Sequence, residues 1–410
     1  MFQKTKVFLV ILVCLIVLSA NGQTAPKYEL MVKEDLDRLL SALEQDYVYF
    51  QDKSIALSCL RENYENQITT LKTKEQALLF FESILHEFYD NHLTLSANTT
   101  ASYRLYAPLY VSYTKDAYTV TQVWFSHLQS IPFNPLHTEV LAINGIPFTT
   151  AIANFPCYCS DKDNPVVKEW IANKLIAGRY NQSRILTLKN DTGAVEAIDL
   201  DAFRYRSSAK LVERQEKSDI GIIIVNNALG NNETIAAFDK ALDDLSTTQG
   251  LILDLRNTVD GGNSYVARGI MGRFIRKPLP YQKHAFLEHY DGQAPVERSW
   301  LEIVSPRDNT YDEQLVVLVG RWTGSMGEGL AIGFDGMERA IVVGTEMERL
   351  AGEISYFQFK HQDFGFRMAT AKLFHVNGTP REEFAPSYYG YRTGIKEDTL
   401  LDYALTLLKN

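Results

Sequence analysis

The sequence predicts an α/β fold whose second half is built on a largely parallel sheet, preceded by a helical segment and a β-rich segment. Three observations carry this reading. From Asp219 onward, short apolar strands alternate with helical stretches. Residues 33–85 repeat their apolar positions at spacings of three and four. Residues 101–205 show alternating runs separated by turn residues. At 410 residues and 46% hydrophobic, the chain can fill two or three ordinary cores. Its formal charge of −9 is spread without basic blocks, which argues against nucleic acid or an anionic membrane as partner.

Residues 1–22 have the layout of a secretory signal peptide. Lys4 and Lys6 precede the apolar run Val7–Leu18, then Ser19-Ala20, with cleavage expected between Ala20 and Gln23. The run is shorter than the roughly 20 apolar residues that span a bilayer. The expectation is export, to a periplasm or the extracellular space, with no membrane span left after the leader is removed. Cys59, Cys157 and Cys159 then remain, and an odd number cannot all pair internally. The one-residue gap between Cys157 and Cys159 suits a mutual bond poorly, so no disulfide scaffold is implied. The histidines are scattered, with neither H-E-x-x-H nor paired C-x-x-C, so the sequence implies no metal and no cofactor.

Residues 23–100 read as a small helical domain, with Leu36, Leu39, Leu40 and Leu43, then Ala77, Leu78, Phe81, Ile84 and Leu85, on helical faces. It ends at EFYDNHLTL, Glu87–Leu95, where His92 falls at a change from helix to strand. Residues 101–205 form the β-rich domain, including a strand, tight turn and strand over Glu139–Phe148 and a helical stretch over Val166–Ile176 after Pro165. Residues 206–410 hold the parallel sheet. Its strands are Ile220–Val225, Gly250–Leu255, Leu315–Val319 and Ala340–Val343, with helices over Ile235–Leu245, from Ser264 and from Ser325.

Functional loops of such sheets lie at the carboxyl ends of strands, and two qualify. The first, RNTVDGGN, carries Gly261-Gly262, where backbone N–H groups can approach a ligand with no Cβ in the way. The second, GRWTGSMGEGL, places Ser325 at a strand-to-helix turn. Ser325 and Glu328 have capping-box spacing. A nucleophilic serine here would also aim the oxyanion at free N–H groups and at the positive end of the helix. Thr323 stands where the G-x-S-x-G elbow requires glycine, which disfavours an α/β-hydrolase.

The succession of a helical start, an insert with INGIPF, then GLILDLRNTVDGG, VVLVGRWTGSMGEGL and AIVVGTEM resembles the tail-specific, or C-terminal-processing, proteases and the related tricorn core. The resemblance implies a serine-type endopeptidase in which a PDZ-like domain over 101–205 precedes an α/β catalytic domain. It implies Ser325 as nucleophile, and an oxyanion hole from Gly261 or Gly262 and Met326. The lysine of the Ser-Lys branch is missing, since no lysine follows Ser325 until Lys360. The tricorn-like branch uses a histidine instead, matched by His92, with Asn91 where that branch has serine, and a late glutamate, matched by Glu382 or Glu383. Glu328 is expected to cap. The PDZ-like insert would either bind substrate C-termini or limit access to the site. The partner implied is a peptide or protein substrate. The alternative is a non-catalytic relative that binds a peptide or hydrophobic ligand.

Overall fold

The computed structural model describes residues 25–128, 131–203, 208–290, 292–394 and 396–409. The leader expected over residues 1–22 lies outside them. Three helices open the described chain: α1 (Ala25–Asp46), α2 (Leu57–Tyr64) and α3 (Lys74–His86). Thr73 and Gln76 close a reciprocal capping box at the start of α3. The apolar stripes read from the sequence meet in one core, which is completed by Phe359, Phe364, Phe366 and Met368 from far down the chain. Asp35, fully buried in α1, accepts the backbone N–H groups of Lys360 and His361 at 2.7 and 3.1 Å. The opening helices are therefore docked on the C-terminal part, and β1 (Thr94–Leu95) follows them directly.

The β-rich unit comprises β2 (Leu109–Thr114), β3 (Ala117–Val123), β4 (Glu139–Ile143), β5 (Ile146–Pro147), α4 (Phe148–Ala153), α5 (Pro165–Ala177), β6 (Ile185–Lys189) and β7 (Val195–Asp199). Its sheet runs β2-β3-β4-β6-β7, with β5 on β4. Asn144 and Gly145 both take positive φ, 49° and 78°, the conformation a two-residue hairpin turn needs. Asn164 caps α5, and Pro165 fills its first turn.

The remaining elements are β8 (Val212–Lys217), β9 (Ile220–Val225), α6 (Thr234–Asp244), β10 (Gly250–Asp254), α7 (Ser264–Met271), β11 (Leu279–Glu288), β12 (Val296–Val304), β13 (Gln314–Val319), α8 (Met326–Gly336), β14 (Ile341–Gly344), β15 (Glu353–Gln358), β16 (Gly365–Phe374), β17 (Tyr388–Tyr389) and α9 (Thr399–Leu407). The central sheet has the order β17-β14-β13-β10-β9-β8 and is parallel except at β8. Its inner strands β9, β10, β13 and β14 are apolar on both faces because both are covered. Leu251, Leu253, Val317 and Val319 face the core of α6, α7 and α8, while Ile252, Val316 and Leu318 face α9.

Two features add to the sequence reading. A second sheet, β1-β16-β11-β12 with β15 on β16, ties the N-terminal segment to the C-terminal one. A disulfide joins Cys59 on α2 to Cys159 in the β-rich unit, leaving Cys157 free and buried. The odd cysteine is thus Cys157, and the bond spans 100 positions rather than two. Fully buried Glu87 holds the same junction by accepting the N–H groups of Tyr158, Cys159 and Ser160 at 2.6, 3.0 and 3.0 Å. Among the described residues no helix is long and apolar enough to cross a membrane.

Candidate active site

The loops after β10 and β13 are sewn together. Buried Thr323 donates its hydroxyl to Leu255 O at 2.9 Å, the Gly324 N–H reaches Thr258 O, and Thr258 and Thr323 form an isolated parallel bridge. This places Gly261 against Ser325. A Cβ on Gly261 would fall 2.4 Å from the Ser325 Cβ and 2.8 Å from the Met326 nitrogen, and the φ of Gly261 is +63°. Glycine is required there on both counts. Ser325 itself, at the head of α8, has φ 48° and ψ −108°. That is a strained backbone for a side-chain-bearing residue, of the kind found where a strand-to-helix turn presents a nucleophile.

The Gly261 N–H is already spent on Thr258 O at 2.9 Å. Among the described residues no hydrogen bond engages the N–H groups of Gly262 and Met326, which makes these two the available oxyanion donors. The Glu328 carboxylate accepts the Ser325 N–H at 2.9 Å. It also accepts from Arg349 at 2.8 Å and Leu350 at 3.2 Å, so one fully buried side chain fastens the serine turn to the segment after β14. Burial pushes this carboxyl up to about 7, against the pull of Arg381 and the three backbone donors.

That same segment holds the ring of His92, which lies between α3 and β1. The ring Nδ1 lies 2.9 Å from the carbonyl oxygen of Ala351, the residue after Leu350. A carbonyl only accepts, so Nδ1 holds the hydrogen and Nε2 keeps its lone pair, the tautomer of a general base. Asp90 fixes the backbone by accepting the His92 N–H at 2.8 Å and is itself held by the Tyr47 hydroxyl at 2.6 Å. Burial first, then the Arg381 guanidinium, lowers the ring to about 4. Arg381, buried beside it, donates to Leu350 O at 2.6 Å and Gly352 O at 3.0 Å. The Ser325 hydroxyl and the His92 ring make no direct hydrogen bond. They are connected through Glu328 and the strip Arg349–Gly352.

The two late glutamates separate. Glu383 is exposed, whereas Glu382 is half-buried with its carboxylate facing the buried hydroxyl of Tyr49. Asn91 accepts the Trp170 indole N–H at 3.1 Å, so the residue beside His92 is held by the β-rich unit. The sequence reading missed Arg381 and Glu348. Glu348 is buried, with a carboxylate oxygen that has no partner and lies 2.8 Å from where a Gly324 Cβ would be. Burial holds its carboxyl well above the usual range. Nothing local marks either residue, since a charged side chain in a loop reads as solvated. Among the described residues, no group of three His, Cys, Asp or Glu is placed to hold a metal ion.

Residues 219–390 match the family model of Peptidase family S41. The fold is similar to that of mature CPAF, with a TM-score of 0.60 at 12% identity, covering 93% of this chain and 97% of that one. It is also similar to the photosystem II D1 C-terminal processing protease, with a TM-score of 0.55 at 16% identity, covering 94% and 97%. No curated protein matches the sequence. At these identities the structural likeness speaks to the fold.

Proposed function

We propose that the chain, whose residues 219–390 match the model of Peptidase family S41, is a serine-type endopeptidase of that family with Ser325 as nucleophile and His92 as general base. The observation that carries the reading is the strained Ser325, with Gly261 pressed onto its Cβ and the N–H groups of Gly262 and Met326 unspent beside it. In the reaction, His92 Nε2 takes the hydroxyl proton as Oγ attacks the peptide carbonyl. The oxyanion draws on the Met326 and Gly262 N–H groups. The imidazolium, supported by the Ala351 carbonyl and Asp90, returns the proton to the leaving amine, and water then releases the acyl group. Of the two late glutamates, the half-buried Glu382 is the one assigned to the machinery.

The substrate class is a peptide or protein. Export is part of the same proposal, supported by the leader-like residues 1–22 and by a disulfide, a bond that persists in oxidising compartments. The second reading, a non-catalytic relative that holds a ligand, draws on the lack of a direct Ser325–His92 bond. A fluorophosphonate probe and a quenched peptide library separate the two. Labelling mapped to Ser325, with turnover abolished in both Ser325→Ala and His92→Ala, is the expected result. Labelling elsewhere, or turnover unchanged in Ser325→Ala, removes the peptidase reading.

A further inference from the structure

In PDZ-type recognition a peptide is captured as an added strand at an exposed sheet edge, where its backbone takes the edge strand's free N–H and C=O groups. In the β-rich unit that edge is β2, with α5 lying alongside it. Three groups along this edge are already taken. The carboxamide of Asn173 accepts the Val111 N–H at 2.9 Å and donates to Val111 O at 2.8 Å, the two-way exchange that an opposing strand residue makes in an antiparallel pair. Two residues on, the Glu169 carboxylate accepts the Tyr113 N–H at 2.9 Å.

We propose that α5 occupies its own peptide groove: the Asn173 and Glu169 side chains stand in for a bound peptide backbone and close the β2 edge to any extended peptide. The closure also holds the serine loop and the segment of His92. Glu169 accepts the Tyr110 hydroxyl at 2.6 Å, and the Tyr110 ring lies under the Arg321 guanidinium of the serine loop at 3.8 Å. Trp170, between the two clamping residues, holds Asn91 beside His92. A strand pairing with β2 would have to displace α5 and so loosen the serine loop and the segment of His92. The unit is therefore a fixed wall of the cleft, and substrate reaches Ser325 without prior capture there.

The inference does not rest on peptidase activity and fails separately from it. The full chain with Ser325→Ala, which cannot cut the probe, is mixed with a ten-residue peptide of alternating Thr and Val with a free carboxylate. Hydrogen exchange of residues 109–114 is then followed. The expected result is a segment already protected and unchanged by peptide. Adding Glu169→Ala and Asn173→Leu, the leucine keeping the volume, is expected to speed exchange there about tenfold and to let the peptide restore protection. Protection that rises with peptide in the unaltered groove overturns the proposal whatever the variant does. So does a folded variant whose edge still ignores the peptide.

Discussion

Glu328 accepts the backbone N–H of Ser325 at 2.9 Å and, with the same carboxylate, the N–H of Leu350, whose neighbour Ala351 holds the His92 ring. One buried side chain thus sets the relative position of the proposed nucleophile and base. Glu328→Ala removes a fully buried acceptor of three backbone donors. Each buried donor left unpaired costs about 1–3 kcal/mol. The expected loss is about 3 kcal/mol or more in a denaturant titration. Peptide turnover should fall by about 10²-fold, the effect of moving reacting groups by about 1 Å.

Gly261→Ala should act on the chemistry more than on the fold. The added methyl would meet the Ser325 Cβ at 2.4 Å and the Met326 nitrogen at 2.8 Å, displacing the nucleophile together with an oxyanion donor. Loss of such a donor costs about 10²–10³ in rate. The rate of fluorophosphonate labelling at Ser325 should fall by a similar factor, with circular dichroism unchanged.

The sequence made some of this legible for a physical reason. Leu251–Leu255 and Leu315–Val319 are apolar on both faces because helices cover both, and such runs stand out. β11 and β12 do not, because β12 is exposed along nearly its whole length and LPYQKHAFLE and VERSWLEIV carry charges through the strands. Ser325 could be found from its turn and glycines. His92 could be found only through the family resemblance, because its partner Ala351 is 259 positions away and contributes a carbonyl, which any residue possesses. Glu348 and Arg381 left no mark at all, since their burial is created by elements that meet only in the folded chain.

The pH dependence of activity should reveal the environment of His92. An ordinary imidazole base loses half its activity near pH 6.5. Burial and Arg381 lower this ring to about 4, so it stays neutral, and competent to take a proton, well below that. The His92 ionisation seen in kcat/KM should lie nearer 4 than 6.5. His92→Ala should cost about 10²–10⁴ in turnover. The same shift bears on stability. A histidine whose folded pKa is depressed contributes stability at pH above 6.5 that is lost as pH falls toward 4, and His127, also lowered to about 4 by burial, adds to this loss. Thermal melts should drop across that window, less steeply in His127→Gln.

His284 predicts the opposite limb. It lies 3.0 Å from both Glu302 and Glu353, stacked on Trp300. Burial opposes its charge, but the two carboxylates win and raise it to about 9. A raised histidine contributes stability that is complete below 6.5 and disappears as pH climbs through 9. Urea midpoints should therefore fall between pH 7 and pH 10. In His284→Gln the drop should shrink, because the titrating group is gone.

The Cys59–Cys159 bond closes a loop of 100 positions, and a crosslink of that span is worth about 4.7 kcal/mol on chain entropy alone. Reduction, or Cys59→Ser, should lower the urea midpoint accordingly. Cys157 lies two positions from Cys159 and could in principle attack the bond. Thiolate is the attacking species, however, and burial first, then Glu87, pushes the Cys157 thiol up to about 12. At pH 8 almost none is ionised, and the Glu87 carboxylate holds the Cys159 N–H so that the bonded sulfur's backbone does not drift toward it. Peptide mapping after prolonged incubation of the unreduced protein at pH 8 should recover Cys59–Cys159 alone. A Cys59–Cys157 pair would mean that the pocket around Cys157 opens, and that Glu87 does not keep this junction shut.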